Sequence, residues 1–243
     1  MSARTYLPRI LEDREEAGRR LADRLTRFRD EHPVILALPR GGVPVALEIA
    51  RELAAPLDVL IVRKIGAPDN PEYGLGAIAE GGIQFLDGIR IAEAGYSKED
   101  LDVTIARETE ELSRRARAYR GDRPPLDVSG RTVILVDDGV ATGGTVEAAI
   151  RAVRARHPRR VIVALGVSPP DTLVRLREHA DEVVVLMVPE YFAAVGEWYR
   201  NFDQVSDETV RRLLQVDTTG PASAEPATGH VTRPRRLPSH VGD

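Results

Sequence analysis

Apolar and polar positions divide the chain into short apolar runs and longer segments with helical spacing. The runs have the length of strands and few interruptions, which is typical of strands buried on both faces. The longer segments place apolar residues three or four positions apart, as Ala17, Leu21 and Leu25 show, which predicts amphipathic helices. The predicted strands are 33–38, 57–62, 132–136, 160–167 and 182–188, and the predicted helices are 14–31, 43–54, 97–119, 145–156, 170–179 and 206–214.

The order of these elements predicts the fold class. Strands and helices alternate through most of the chain, and a glycine-rich stretch at 75–86 has the pattern of a short hairpin. We therefore expect an α/β fold in which a parallel sheet is covered by helices on both faces. Ligands of such sheets bind beyond the carboxyl ends of the strands, so the loops that follow the strands are the ones to inspect.

Composition narrows the class of protein. A chain of 243 residues with 42% hydrophobic residues can build the core of one domain, which we place at 1–216. Cysteine is absent, which excludes disulfides and thiolate chemistry and suits a cytoplasmic location. The net charge of −4 argues against general nucleic-acid binding, and no window reaches the roughly 20 apolar residues of a membrane span. Residues 217–243 have the composition of a disordered tail.

The stretch VILVDDGVATGGT, from Val133 to Thr145, carries the strongest chemical signal. Its glycines let backbone N–H groups turn toward an anion at the start of a helix, which suits a phosphate, although a plain strand-to-helix turn has the same composition. Asp137 and Asp138 precede this loop, and carboxylates accept hydrogen bonds from a sugar diol or contact hydrated Mg²⁺. A diol beside a phosphate indicates a sugar phosphate.

This stretch resembles the signature of the type I phosphoribosyltransferases, which is an apolar strand, two acidic residues, a spacer and T-G-x-T. The resemblance implies that Asp137 and Asp138 hold the ribose hydroxyls of phosphoribosyl pyrophosphate (PRPP). It also implies Mg²⁺, carried by PRPP and water and contacted by the same two carboxylates. By the same resemblance, a small hood is built from about 67–96 and the terminal segments. The residues implied for the 5-phosphate are Ala141, Thr142, Gly143, Gly144 and Thr145.

Two other loops fit a site for the pyrophosphate of PRPP. The loop LPRGG, with Arg40, Gly41 and Gly42, is similar to the pyrophosphate loop of the family. Arg63 and Lys64 follow the second strand and would add two cations. The alternative for all three basic residues is ordinary charge at a turn or a strand end.

Evidence on the acceptor is divided. Glu72 and Tyr73 belong to a Glu-Tyr-Gly that is similar to one in the mobile loop of adenine phosphoribosyltransferases, where they would assist proton movement and exclude water. Ala141 also matches the adenine enzymes, whereas FAAVGEWYRNF resembles the segment of the hypoxanthine–guanine group whose aromatic stacks on the base. Trp198, Tyr191 and Phe192 would then form a base platform. Packing of the tyrosine on the hairpin, and of the aromatics in the core, is the alternative reading.

These observations predict an enzyme that transfers the phosphoribosyl group of PRPP to a nitrogen acceptor, such as a nucleobase, and releases pyrophosphate. The rival prediction is a regulator that senses PRPP or a nucleotide on the same fold without transferring anything. A third reading is a relative that acts on a non-purine acceptor. The sequence leaves open the acceptor and whether the chain forms a homo-oligomer.

Overall fold

The computed structural model describes residues 10–71 and 73–216, so Glu72 and the predicted tail lie outside the described residues. Five strands form a parallel sheet in the order β2-β1-β6-β7-β8, and three others form an antiparallel sheet in the order β3-β4-β5. The strands are β1 (Val34–Ala37), β2 (Leu57–Val59), β3 (Val62–Gly66), β4 (Gly74–Ala79), β5 (Ile83–Leu86), β6 (Thr132–Gly139), β7 (Arg160–Val167) and β8 (Glu182–Met187).

Helices cover both faces of the parallel sheet, which confirms the predicted fold class. Along β6, Ile134 and Val136 face the layer with α1 and α2, whereas Val133 and Leu135 face the layer with α5. This alternation follows from the two-residue repeat of a strand. The helices are α1 (Arg14–Leu25), α2 (Gly42–Leu53), α3 (Gly88–Glu93), α4 (Asp102–Arg120), α5 (Gly144–Arg154), α6 (Pro170–His179) and α7 (Asp207–Val216). Within the described residues, no helix combines the length and apolar character needed to cross a bilayer.

The second sheet begins where the sequence predicted a single strand at 57–62. That prediction was wrong, because β2 ends at Val59 and the chain enters the antiparallel sheet at Val62. Leu60 still donates its backbone N–H to Ala37 of the first sheet, and Ile61 already accepts from Glu80 of the second. A continuous apolar run does not reveal such a change of sheet, since both sheets bury the same side chains. The predicted hairpin at 75–86 is confirmed as β4 and β5.

A buried arginine joins the two sheets. Arg120, at the end of α4, donates to Asp58 of β2 at 3.0 Å and to Glu80, after β4, at 3.0 Å. All three side chains are nearly inaccessible to solvent, at 5–8% exposure. Buried charges are stable only when they are paired and hydrogen-bonded, so this triad fixes the hairpin sheet against the edge of the parallel sheet.

Some helix boundaries differ from the prediction. The helix predicted at 14–31 ends at Leu25 and continues as a 3₁₀ turn at Thr26–Glu31, where Phe28 remains buried. The helix predicted at 97–119 begins later, because Ser97 and Asp100 exchange hydrogen bonds ahead of a 3₁₀ turn and α4 itself begins at Asp102. Both segments keep their apolar spacing, which does not distinguish the last α turn from a 3₁₀ turn.

Candidate functional site

The two adjacent carboxylates lie within β6 and therefore face opposite sides of the sheet. The strand reaches Gly139, three residues beyond the predicted end, because Asp137 and Gly139 still pair with β7. Asp138 follows the alternation of Ile134 and Val136 and points toward α1 and α2. Asp137 follows the opposite alternation, toward the face covered by α5.

Asp138 is buried against Arg14, the first residue of α1. The Arg14 Nε donates to the Asp138 Oδ2 at 2.8 Å, and the two side chains are 10% and 11% exposed. The Tyr199 hydroxyl donates to the backbone carbonyl of Asp138 at 2.5 Å. Burial, together with the charge of Asp138, raises the pKa of Tyr199, so this phenol stays a donor.

Asp137 has a different environment. Its Oδ1 accepts the backbone N–H of Asp138 at 2.9 Å, and within the described part of the chain it forms no ion pair. Desolvation raises the pKa of Asp137 well above its ordinary value, and the neighbouring charge of Asp138 raises it further. A carboxyl in this state gains from any ligand that brings a hydrogen-bond donor or a cation.

The loop after β6 leads into the N-terminus of α5. Gly143 caps this helix with φ of +76°, a left-handed conformation that favours glycine. The first N–H groups of any helix lack partners inside the helix, and here they follow directly after Gly143. Thr172 donates to the carbonyl of Ala141 at 2.7 Å, and Arg175 donates to that of Thr142 at 2.7 Å. The carbonyls are thus occupied by neighbouring side chains, while the helix N-terminus offers donors to an anion.

The loop after β1 lies directly against the end of β6. Leu38 donates its N–H to the Val136 carbonyl at 2.9 Å, and the Pro39–Arg40 peptide bond is cis. A β-carbon on Gly41 would stand 2.0 Å from the Asp138 carboxylate, and one on Gly42 would stand 2.5 Å from the Val136 carbonyl. Only glycine allows the two loops to approach this closely. The Arg40 side chain is 35% exposed, and its Nη1 lies 3.7 Å from Asp207 of α7.

Arg63 and Lys64 are separated by the alternation of β3. The Arg63 Nη2 lies 2.6 Å from the carboxylate of Glu108 on α4. Lys64 lies on the other face, exposed, and borders a cavity of about 490 Å³ together with Gly144 and Thr145. The structure therefore brings Lys64, and not Arg63, beside the loop predicted for the 5-phosphate.

Residues 9–197 match the family described as "Phosphoribosyl transferase domain". The match covers most of the chain. The protein belongs to this family. β6, the glycine loop after it and the loop after β1 all lie within the matched residues.

Individual relatives agree with this membership. The chain is 44% identical over 206 residues to Rv0571c of Mycobacterium tuberculosis H37Rv, which is provisionally named a phosphoribosyl transferase. That match takes 85% of this chain but 46% of the relative, so the chain spans about half the length of this relative. A uracil phosphoribosyltransferase of Bifidobacterium longum DJO10A is 28% identical over 158 residues, which are 60% of this chain and 70% of the relative.

A solved structure supports the fold, and its sequence identity to this chain is higher than that of the two relatives above. The crystal structure of TT1426 from Thermus thermophilus superposes with a TM-score of 0.76 at 48% sequence identity. The superposition covers 84% of this chain and 97% of that chain. At this identity and coverage, this chain and TT1426 share one fold.

The remaining predicted residues of the phosphoribosyl transferase site are dispersed. Tyr73 is 40% exposed and is not part of the cavity lining, and Glu72 lies outside the described residues. Tyr191 is 90% exposed. Trp198 and Phe192 pack with Leu11 in an apolar cluster, where the Trp198 Nε1 is buried and has no hydrogen-bond partner among the described residues. These aromatics do not form one platform.

Sequence reasoning missed Arg14 and Tyr199, which bond to Asp138, and Phe202, whose ring lies against the Arg14 guanidinium. One signal was present, because Arg14 occupies the same helical face as the apolar residues Ala17 and Leu21. A charged residue on an apolar stripe indicates a buried partner. For Tyr199 and Phe202 the sequence holds no comparable signal, since aromatic residues are equally common in a core.

No cluster of three or more His, Asp or Glu side chains that could hold a metal occurs in the described ranges. A divalent cation held by the protein alone would need such a set of oxygen ligands. Asp137 is the carboxylate that fits a supporting contact to a cation, since Asp138 is already paired with Arg14.

Proposed function

We propose that this phosphoribosyl transferase domain binds PRPP across the carboxyl ends of β1 and β6 and transfers its phosphoribosyl group to a nitrogen acceptor. One observation carries the proposal. The loop after β1 lies directly against the strand that leads into the glycine loop, with Gly41 against the Asp138 carboxylate and a backbone hydrogen bond from Leu38 to Val136. Two loops suited to anions are thereby held side by side, as a ligand with a phosphate at each end requires.

In this proposal the loop Ala141–Thr145 holds the 5-phosphate. The N-terminal N–H groups of α5 and its positive dipole end favour a phosphate there. The glycine at 143 supplies the left-handed conformation that turns the chain into the helix. The pyrophosphate lies at the loop of Arg40, Gly41 and Gly42, and Lys64 is a further cation in the cavity beside Gly144 and Thr145.

Asp137 takes the ribose hydroxyls. It has no ion pair within the described residues, and a diol donates the hydrogen bonds that its carboxylate lacks. Asp138, which the sequence also assigned to the ribose, is occupied by Arg14 on the other face of the strand. We therefore assign direct ribose contact to Asp137 alone.

Mg²⁺ fits this arrangement as an ion carried by PRPP and water, with Asp137 as its contact on the protein. When bound, the ion neutralises charge on the pyrophosphate. In the reaction, a nitrogen lone pair forms a bond to C1 of the ribose while the C1–O bond breaks and its electrons leave with pyrophosphate. The loops stabilise the charge that develops on this leaving group. The cytoplasmic location expected from the sequence suits this chemistry.

The rival function, binding without transfer, is favoured by a different observation. Tyr73, one of the two residues predicted to act on the acceptor, is not among the residues that line the cavity that Lys64 borders. Glu72, the proton acceptor predicted for the acceptor base, lies outside the described residues. A regulator that senses PRPP needs the two loops but no such group.

A pyrophosphate-release assay with PRPP and Mg²⁺ separates the two functions. The acceptor panel begins with uracil, because one relative is named a uracil phosphoribosyltransferase, and continues with purines and small amines. Calorimetry measures PRPP binding in parallel. Binding with release supports the transferase, binding without release on the whole panel supports the sensor, and absence of binding refutes both.

Asp137→Asn tests the ribose assignment in the same experiment. The substitution keeps the size of the side chain and removes the charge, so PRPP affinity should fall while the fold is retained. Asp127→Asn is the matched control, because Asp127 lies on an exposed connector before β6. Equal PRPP affinity of the two variants would contradict a role for Asp137.

A further inference from the structure

Arg14 is the least expected charge in the core of this protein. It opens α1 directly after the cap residue Asp13, whose carboxylate accepts the N–H of Glu16 at 2.7 Å. Its side chain is 10% exposed and lies on the buried face of the helix. A guanidinium at this depth loses most of its hydration, so it must be compensated by charge and hydrogen bonds.

Three contacts compensate it and fix its plane. The Nε donates to Asp138 at 2.8 Å, the Nη1 donates to the carbonyl of Asp203 at 2.8 Å, and the Cζ lies 3.9 Å above the ring centroid of Phe202. A planar guanidinium can make a hydrogen bond in two directions and stack at the same time, whereas an ammonium cannot. Arg14 thus joins the first helix, the signature strand and the segment before α7.

Asp138 transmits this constraint to both proposed anion loops. Its carboxylate stands against the Gly41 backbone, so it sets how closely the loop after β1 approaches. Its own backbone is held by the Tyr199 hydroxyl, one residue before Gly139, where β6 turns into the glycine loop. If the Asp138 carboxylate rotated toward a ligand, the loop after β1 would lose its support.

We propose that Arg14 is a positioning residue of the sugar-phosphate site. It holds the Asp138 carboxylate between β6 and the loop after β1, so that the two anion-binding loops keep one relative position before any ligand arrives. The inference rests on the proposed function for its ligand, but the positioning itself is a property of the free protein. Among the described residues, the hydrogen bonds of the Arg14 side chain go to Asp138 and Asp203 and not to either loop, so Arg14 acts through Asp138.

Conservative substitution tests the proposal in the intact chain. Arg14→Lys keeps the positive charge but cannot reproduce the stack and both hydrogen bonds. Arg19→Lys is the matched control on the same helix, because the Arg19 side chain is 58% exposed and its Nη1 lies 3.7 Å from Glu48. We expect Arg14→Lys to weaken PRPP binding about tenfold, the lower end of the loss of about 10–100-fold seen when a hydrogen-bonded partner of a metal ligand is removed, and Arg19→Lys to leave it unchanged. Equal affinities of the two variants would overturn the proposal.

Hydrogen exchange of the ligand-free protein provides a readout that does not depend on PRPP. Amides of residues 38–42 and 139–145 should exchange faster in Arg14→Lys than in Arg19→Lys, while those in the middle of β7 should not change. Uniformly faster exchange would indicate a merely structural role and would overturn the proposal. If the wild-type protein does not bind PRPP, the proposed function fails, and this comparison still decides whether Arg14 positions the loops.

A double-mutant cycle shows whether Arg14 acts through Asp138. Arg14→Gln and Asp138→Asn each leave a buried charge unpaired, so both single variants should bind PRPP more weakly. The neutral pair Arg14→Gln with Asp138→Asn restores a balanced site, and in the Asp138→Asn background Arg14→Gln should cause little further loss of affinity. If the fold-loss of PRPP affinity in the double variant equals the product of the two single losses, the two residues act independently, which contradicts the proposal.

Discussion

Gly41 lies so close to Asp138 that a β-carbon on Gly41 would stand 2.0 Å from the Asp138 Oδ2. The carboxylate cannot move aside without breaking its bond to Arg14. The residue at 41 is therefore fixed by contact distance and not by backbone conformation, because its φ of −62° is open to any residue.

Gly41→Ala should consequently weaken both stability and PRPP binding. Overpacking of a tight contact costs about 1–3 kcal/mol, which urea unfolding measures, and calorimetry gives the affinity for PRPP. Gly88→Ala is the control for stability, since a β-carbon there meets open space. If the Gly41→Ala protein has wild-type stability and PRPP affinity, the Asp138 side chain can move away from position 41 without a loss of stability, which contradicts the prediction.

Lys64 and Arg63 provide a matched pair of neighbours on one strand. Lys64→Gln should weaken PRPP about tenfold or more, because a charge-assisted hydrogen bond to an ionised group contributes about 1.5–3 kcal/mol. It should also weaken the binding of ribose 5-phosphate, because Lys64 borders the cavity beside Gly144 and Thr145 of the loop proposed for the 5-phosphate. Arg63→Gln should leave both affinities unchanged, since Arg63 faces Glu108. Calorimetry with both ligands measures the four values, and unchanged affinity for both ligands in Lys64→Gln would refute a role of Lys64 in phosphate binding.

The triad of Arg120, Asp58 and Glu80 should dominate the stability of the junction between the sheets. Arg120→Met leaves two carboxylates buried without a cation, which costs about 3–5 kcal/mol in the free energy of unfolding. Arg117→Met is the control, because Arg117 is exposed on the same helix. Urea denaturation compares the two variants. Similar midpoints would mean that protonation or water stabilises the two carboxylates when Arg120 is absent, which contradicts the prediction.

Tyr119 should make stability depend on pH in the alkaline range. Burial and the hydrogen bond to Asp207 raise the pKa of Tyr119 from 10 to about 12. The unfolded chain therefore releases this proton at lower pH than the folded protein does. The contribution of Tyr119 is complete below pH 10 and is lost as the pH rises toward 12.

Unfolding experiments on wild type and Tyr119→Phe measure this contribution as the difference between their free energies of unfolding. That difference should be constant below pH 10 and should shrink as the pH approaches 12. Tyr191→Phe removes a phenol that is 90% exposed and should show no such trend. A constant difference for Tyr119→Phe across the whole range would contradict the raised pKa.

The fold of this protein was largely predictable because its strands are buried on both faces. The apolar runs at 132–136 and 160–167 correspond to β6 and β7, and the helix at 170–179 was predicted to the residue. The change of sheet between Val59 and Val62 was not predictable, since burial in either sheet selects the same residue types. Hydrogen bonds to neighbouring strands, and not the local apolar pattern, decide where such a run splits into two strands.

The candidate site was predictable as a set of loops but not as an arrangement of side chains. Adjacent residues such as Asp137 and Asp138, or Arg63 and Lys64, look equivalent in a sequence. Once each pair is part of a strand, the two-residue repeat sends its members to opposite faces. Only the length of β6 and the start of β3 settle which member meets a ligand, and those boundaries depend on hydrogen bonds to other strands.

The contacts of Arg14 with Asp138, Asp203 and Phe202 also determine when this protein can finish folding during synthesis. Arg14 lies 124 positions before Asp138, and it bonds a carbonyl 189 positions away, at Asp203. Until residue 203 has left the ribosome, the guanidinium lacks one of its two acceptors and the ring of Phe202. A nascent chain can therefore carry the whole signature strand and still lack the geometry of the site, so ligand cannot select the correct fold until translation of the domain is almost complete.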